Sequence, residues 1–538
     1  MSERDLQNRY DAIVVGSGAS GGWAAKELSE RSLSVLVLEA GRPIVPGKDY
    51  SWMTAGKHRN SPAERIKAMM AGQYVQAWCG GWSPLTKHFF VNDRLNPYTY
   101  PRDQKYYWFR GRQAGGRLHT WARVAPRMSD ADFQAAKGGG HGRDWPISYA
   151  DLQPYYDRVE TFMGLYGEKD GHPLMPDGIY IRPWPLTSQE TAFKHQIERT
   201  WPERRVVSAR VMQQLSRVPI MLLSAQQTGR CEMRYHAIVS KIDIDSRTRR
   251  ATGVTFIDRY TGRTQTVQSR VIVLAASAFE SIRILLNSRC REHPGGIGNS
   301  SGLLGRNVMD NTFLYRSGPT EHCDPPPFDQ DPYALGKGNG FFIPQFRNVN
   351  GLDSDFLRGY YTCGAIGRGG KRWWMVCFGA MLPHPENRVT VHPKMKDAWG
   401  IPVIHIDIRY RENELAMIAD QEKTLQEMIA ACGLKVSCWV SGPCGPLFQK
   451  VMENRSLHPS GSFYPGYAVH KCGGAPMGSD PGESILNMYS QSWDVDNVYV
   501  TDAACFPSGA AVNLTNTIMA LTVRACEHIA DRMHGGEL

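Results

Sequence analysis

Six residues near the amino end, Gly16-Ser17-Gly18-Ala19-Ser20-Gly21, fit the pattern G-x-G-x-x-G. Glycine at these positions keeps side chains away from backbone N–H groups, so those groups can reach a diphosphate. Gly16 permits the tight turn, Gly18 the close approach of a pyrophosphate, and Gly21 the packing of a helix on a sheet. Ser20 lies in the same loop. Glu39 follows Gly21 by 18 positions. A carboxylate there accepts hydrogen bonds from ribose hydroxyls and disfavours a 2′-phosphate. These residues predict a dinucleotide site. By themselves they leave NAD and FAD open, although an early motif with a long chain behind it favours FAD.

Such a loop works only between a strand and a helix. Asp11–Val15 is a short apolar run, Gly21–Arg31 reads as an amphipathic helix, and Leu33–Leu38 as the next strand. Together they form one βαβ unit, which implies a parallel sheet. Further strands are expected at Glu232–Asp245, Ala251–Asp258, Val271–Ala275 and Val498–Thr501. Phe378–Leu382, Asn387–His392 and Ile401–Arg409 read as strands of a second sheet. Helices are expected at Asp151–Phe162, Phe279–Asn287, Glu412–Ala431 and Asn516–Met533.

The chain has 538 residues, too many for one core, which suggests two or three structural regions. Hydrophobic residues make up 42% and charged residues 21%, as in an ordinary soluble protein. The net charge of +10 includes no long basic run and no nucleic-acid module, so no nucleic-acid partner is expected. No apolar stretch approaches the ~18 residues of a membrane helix. The opening MSERDLQNRYDAIVVG lacks a signal h-region. A cytoplasmic protein with no membrane partner is expected, periplasmic only if a partner subunit carries it. The twelve cysteines are scattered without C-x-x-C, and Cys432, Cys438 and Cys444 come nearest to a cluster. Reduced thiols and no metal are the expectation.

The carboxyl end supplies the rest. His470–Asp480 reads HKCGGAPMGSD, followed by PGESILN, by NVYVTDAAC at Asn497–Cys505, and by NLTNTIMA at Asn513–Ala520. This order resembles the C-terminal signature of the glucose–methanol–choline (GMC) oxidoreductases. GRQAGG at Gly111–Gly116 resembles that family's first signature. Ala275–Asn287 with Gly302–Asp310 resembles its second. Thr86–Asn92, Phe109–Gly116 and the stretch from Asp144 to Tyr155 resemble a branch of glucoside 3-dehydrogenase catalytic subunits and pyranose or C-glycoside 3-oxidases.

The resemblance implies a fold and a set of roles. The fold is α/β: a doubly wound, Rossmann-like FAD-binding domain plus an α+β substrate domain with an antiparallel sheet. Residues 1–155, 205–311 and 455–538 would form the FAD domain, with flavin-covering loops at about 42–127. Residues 156–204 and 312–454 would form the substrate domain. His470 matches the catalytic base and Asn513 the second active-site position. Gly16, Gly18, Ser20, Gly21, Glu39, Arg112, Gly115, Gly116, Val239, Asp502, Ala503, Asn513 and Thr515 match cofactor contacts. The implied reaction is oxidation of a secondary ring hydroxyl of a sugar, glycoside or cyclitol, at C3 of a pyranoside. A neutral imidazole, with a pKa of about 6.5, suits removal of the hydroxyl proton.

Departures from the pattern narrow the expectation. Relatives that attach FAD covalently do so through a histidine at the position of Thr120; His119 is one step off, so non-covalent FAD is expected. Gly473-Gly474, Pro476 and Leu514 replace the usual Gly-Thr, Arg and Pro. A cysteine-rich insert is missing around Arg205–Arg230, which favours O₂ or a diffusible electron acceptor, with a small subunit as a further partner. A tailoring oxidase of a natural-product glycoside or aminocyclitol, and a non-catalytic flavin-binding partner, stand as alternatives. Tyr106–Phe109 and Trp373–Trp374 are candidates to stack on a sugar or to fill the core.

Overall fold

The computed structural model describes residues 9–50, 61–137, 139–213, 218–324, 339–436 and 457–538. In chain order, β1 (Arg9–Val15), α1 (Ala19–Glu30) and β2 (Val35–Leu38) form the first βαβ turn. Helix α2 (Tyr149–Met163) opens on a capping box between Ser148 and Asp151. Next come β3 (Cys231–Arg234), β4 (Ala237–Ile244), β5 (Ala251–Asp258), β6 (Thr264–Leu274) and α3 (Ala278–Asn287). Then follow β7 (Asn311–Pro319), β8 (Phe341–Ile343), β9 (Tyr360–Ile366) and β10 (Arg372–Ala380). β11 (Arg388–Lys396), β12 (Pro402–Asp407), α4 (Glu412–Ala431), β13 (Val498–Val500) and α5 (Thr515–His534) complete the set.

Two sheets organise these elements. The first has the order β3-β2-β1-β6-β5-β4, with β13 also paired to β6. Its β3, β2, β1, β6 and β13 run parallel, while β5 and β4 add antiparallel edges. Every residue of β2 is buried, as expected of a parallel strand covered on both faces. The register sets Val15 beside Leu38 and Leu274, and Leu274 beside Val500. Four strands therefore end level, and the loops that leave them gather at one edge, where doubly wound sheets bind ligands. α1 packs against α5 on the flank of this sheet.

The second sheet has the order β7-β10-β9-β8 and ends on Val207–Ser208; its pairs are antiparallel. α4 packs against β7 and β10. One continuous core joins the two sheets: Ile13 and Leu274 of the first belong to the same buried cluster as Val376 and Phe378 of the second.

Two sequence expectations need correction, and one left open, the place of Trp373, is decided. Glu232–Asp245 is two strands, not one, broken where His236 takes a φ of 61°. Phe378 belongs to β10, whereas Asn387–His392 and Ile401–Arg409 fall on the separate β11–β12 hairpin, so they do not share a sheet. Trp373 is fully buried and donates its indole N–H to the Lys435 carbonyl at 3.1 Å, a core role rather than a sugar platform. Among the described residues no helix is long and apolar enough to cross a membrane. Cys438 and Cys444 lie outside the described residues.

Candidate active site

The level strand ends open onto a cavity of about 590 Å³. Gly16 sits at φ 94°, and a Cβ there would meet the Ala275 carbonyl oxygen at 2.6 Å. At Gly21 a Cβ would lie 1.9 Å from the Gly16 oxygen. Gly18 differs: nothing stands within 4 Å of its Cβ position, and it lines the cavity. α1 starts directly after it with no side-chain cap and no acidic residue in its first turn. Its first N–H groups and its dipole therefore remain available to an anion.

Glu39 accepts hydrogen bonds from Ser17 N (3.1 Å), Ser17 Oγ (2.5 Å) and Gly41 N (2.7 Å). Burial raises its pKa. Ser17 Oγ in turn accepts from Gly115 N at 3.1 Å, so the second glycine loop is tied to the first. Ser20 lines the cavity but spends its hydroxyl on Thr501 (2.8 Å) and Thr522 (3.0 Å), locking the loop to the segment after β13 and to α5.

The remaining predicted cofactor residues reach the same cavity. Arg112 lies 3.5 Å from Glu280, and burial lowers its pKa to about 10. Its buried Nη1 has no hydrogen-bond partner. Val239, Gly116, Asp502, Ala503 and Thr515 are lining residues; Gly115 touches the site through the Ser17 bond. Asp502 accepts from Ala504 N (3.0 Å) and Ser281 Oγ (2.5 Å), and burial raises its pKa to about 6. The bare helix terminus, the open space over Gly18 and the orphaned Arg112 donor fit a diphosphate-bearing dinucleotide.

His470 lines the same cavity. Its Nδ1 is 2.9 Å from Asn311 Oδ1, and its Nε2 is 2.9 Å from Asn513 Nδ2. The tautomer follows from the neighbours. The Asn311 amide donates to the Gly379 and Ala510 carbonyls at 2.9 and 3.0 Å, so its Oδ1 must face the imidazole and Nδ1 must carry the hydrogen. Tyr361 Oη donates to Asn513 Oδ1 at 2.6 Å, which aims the Asn513 amide N–H groups at Nε2. The Nε2 lone pair thus accepts from Asn513 Nδ2, and both side chains line the cavity. Phe378 packs on the ring, with centroids 4.9 Å apart. Burial, then the charges of Arg117 and Lys471, push the His470 pKa down to about 3, so the ring is neutral near pH 7.

Asn513 does not cap α5: Leu514 occupies the N-cap, and the Asn513 side chain serves His470 and Tyr361 instead. His119 is turned away from the cavity. Its Nδ1 meets Tyr50 Oη at 2.5 Å, its Nε2 meets the Ala114 carbonyl at 2.7 Å, and burial lowers its pKa to about 4. Thr120 lines the cavity in its place. Sequence reasoning missed Asn311, Tyr361 and Lys471. Asn311 immediately follows the segment Gly302–Asp310 that the second signature marks, which is the one signal that pointed to it.

Comparison with known proteins bears on the family and the fold. Residues 204–312 and 383–522 match the N- and C-terminal sequence models described as GMC oxidoreductase. The chain is 26% identical to 2-methyl-1,2-propanediol dehydrogenase of Mycolicibacterium austroafricanum, over 98% of this chain and 96% of that protein. It is 25% identical to the fructose dehydrogenase large subunit of Gluconobacter japonicus, over 98% of each. The fold resembles formate oxidase of Aspergillus oryzae, with a TM-score of 0.66, 14% identity, and coverage of 99% of this chain and 100% of that one.

Proposed function

The chain belongs to the GMC oxidoreductase family, an FAD-dependent enzyme acting on CH–OH groups, and from that premise we propose that it oxidises a secondary ring hydroxyl of a sugar, glycoside or cyclitol to a ketone, at C3 of a pyranoside. The observation that carries this reading is the His470–Asn513 pair, 2.9 Å apart, lining the same cavity as the dinucleotide cradle. When bound, FAD supplies the acceptor for the two electrons and the carbon-bound hydrogen.

The chain's own residues handle the proton. The substrate hydroxyl takes the place of the direct His470–Asn513 bond, donating to His470 Nε2 while its oxygen accepts from Asn513 Nδ2. Both contacts hold the carbinol in one orientation, which lowers the entropic part of the barrier. His470 Nε2 removes the proton, and Asn311 Oδ1 keeps Nδ1–H in place as the ring gains charge. Gly16, Gly18 and Arg112 would hold the diphosphate region, with Glu39, Ser20, Val239, Asp502, Ala503 and Thr515 around them, while Gly21 lets the helix pack on the Gly16 turn. The segmented organisation set out from the sequence belongs to this reading.

FAD is held without a covalent bond in this proposal. Support comes from His119, whose two nitrogens are engaged away from the cavity, and from Thr120 at the lining position. Acid precipitation should leave the flavin in the supernatant; flavin retained in the pellet contradicts the proposal. O₂ or a diffusible molecule is proposed as the electron acceptor, tested by H₂O₂ release against dye reduction. A relative named as a large subunit supports a search for a small partner by co-purification. The central test is anaerobic: a panel of pyranosides and cyclitols is added and the bleaching of flavin absorption followed. A pyranoside should bleach the flavin and yield a 3-keto product by NMR. No bleaching by any member overturns the reading.

A further inference from the structure

Two cations in the cavity, Lys471 and Arg117, have no role in the chemistry set out above. Val469, His470 and Lys471 all line the cavity, although neighbours on an extended chain point to opposite sides. Val469 takes a φ of 60°, a left-handed conformation that a β-branched residue rarely adopts, and the turn there brings His470 and Lys471 to one space. Lys471 is only 8% exposed. Among the described residues its Nζ makes no hydrogen bond and meets no carboxylate within 4.0 Å. Arg117 is partly buried; it donates to the Phe109 carbonyl at a long 3.4 Å and likewise meets no carboxylate within 4.0 Å among the described residues. Asp310 acts on both from further off. Its Oδ1 is spent on the His470 and Asn311 N–H groups, each at 2.9 Å, and its Oδ2 has no hydrogen-bond partner.

A buried cation without a contacting counter-ion is costly. The cost is visible in Lys471: burial, then Arg117, lowers its pKa to about 7, with Asp310 opposing. Cations are kept unpaired in a cavity where a ligand brings the opposite charge. The diphosphate does not account for this pair. It belongs at the α1 terminus with Arg112, whereas Arg117 and Lys471 stand near Cys79, Asp310 and the His470 imidazole, on which both act after burial. Their combined charge selects the kind of anion. Asp310 offsets one of the two cations, and Arg110 has its own carboxylate in Asp93 at 3.9 Å. What remains matches a carboxylate, which the Arg117 guanidinium can meet with two parallel N–H groups, and falls short of a phosphate dianion.

We infer that the substrate is a uronide, a pyranoside bearing a carboxylate, which Arg117 and Lys471 receive while a ring hydroxyl meets His470 and Asn513. This rests on the proposed reaction and names its substrate class. The carboxylate takes no part in the bond changes at the carbinol; the two cations set specificity against neutral sugars.

The test compares methyl β-glucoside, methyl β-glucuronide and methyl β-glucoside 6-phosphate as anaerobic reductants of the FAD-loaded enzyme. Half-saturation should be at least about tenfold lower for the glucuronide than for the glucoside, since tenfold corresponds to about 1.4 kcal/mol, and lower than for the phosphate. In Lys471→Met and Arg117→Met the glucoside-to-glucuronide ratio should fall towards unity. The ratio is the readout because any change of rate made through His470 is common to both sugars. A wild-type ratio near unity overturns the inference, and preference for the phosphate overturns the carboxylate. A ratio unchanged in both variants also overturns it; lowered flavin content in those variants then assigns the cations to the cofactor. Should no pyranoside bleach the flavin, the proposed reaction is refuted, and the anion site is read separately by equilibrium binding of glucuronate and glucose through the flavin absorption spectrum. Glucuronate binding at least about tenfold tighter, and weakened by Lys471→Met, keeps the carboxylate site; equal binding overturns it.

Discussion

At the scale of single residues the site is a chain of amides around one imidazole. Tyr361, Asn513, His470 and Asn311 are linked by bonds of 2.6, 2.9 and 2.9 Å, each with its donor fixed by the next. His470→Ala should slow anaerobic flavin reduction by roughly 10²–10⁴-fold, the usual worth of a positioned general base. Asn311→Leu touches neither substrate nor cofactor, yet it removes the acceptor that holds Nδ1–H. It should slow the same step by about 10–10²-fold, on the scale of other groups that orient a histidine, and Asn311→Asp should restore most of the rate. Lys471 adds a pH effect. Burial, then Arg117, lowers its pKa to about 7, while Asp310 opposes that shift. Below that value Lys471 is charged and helps to exclude a proton from His470. Lys471→Met removes the charge, so the His470 pKa rises and the acid limb of the reduction rate moves to higher pH. A limb that stays in place, measured in stopped-flow buffers of equal ionic strength, would contradict this account.

At the scale of elements the glycine turn separates two kinds of constraint. A Cβ at Gly21 overlaps the Gly16 carbonyl, so Gly21→Ala must displace the loop itself. It should lower the stability of apoprotein and holoenzyme alike, by about 1–3 kcal/mol or more. Gly18 faces open space. Gly18→Ala should cost the apoprotein only about 1 kcal/mol of cap preference, yet sharply reduce bound flavin, because its methyl group occupies the space above the helix terminus. Flavin-to-protein ratios together with apoprotein melting distinguish the two. This turn was legible in the sequence because strand, glycines and helix are contiguous, and because buried parallel strands such as β2 read as apolar runs. The catalytic surroundings were less legible. Asn311 and Phe378 reach His470, and Tyr361 reaches Asn513, through the register of β7, β9 and β10, and no local spacing encodes contacts between positions 311 and 470. The same register explains why Trp373 was ambiguous: alternation along β10 decides which aromatic faces the cavity and which the core.

At the scale of the whole molecule, the helix bearing Thr515 must be held against segments hundreds of residues away. One clamp does this through a buried charge. Glu160 on α2 accepts from Arg127 Nε at 2.9 Å, from Asn516 Nδ2 on α5 at 2.9 Å and from Ile179 N at 2.9 Å. Arg127 also reaches Asp157 at 2.6 Å, and Glu160 is wholly buried. Removing one partner of such a pair strands the other charge in a dry interior, at a cost of about 3–5 kcal/mol, whereas replacing both by apolar groups is often nearly neutral. Arg127→Leu and Glu160→Leu should therefore each lower the thermal inactivation midpoint, and the double variant should survive to a higher temperature than either single one. A midpoint ranking is the suitable readout, because a chain of this length does not unfold in a single two-state step. If the double variant were the least stable of the three, the clamp would act through its hydrogen bonds to α5 and the 179 backbone rather than through paired charge, since Asn516 loses one of its two acceptors in both variants that lack Glu160.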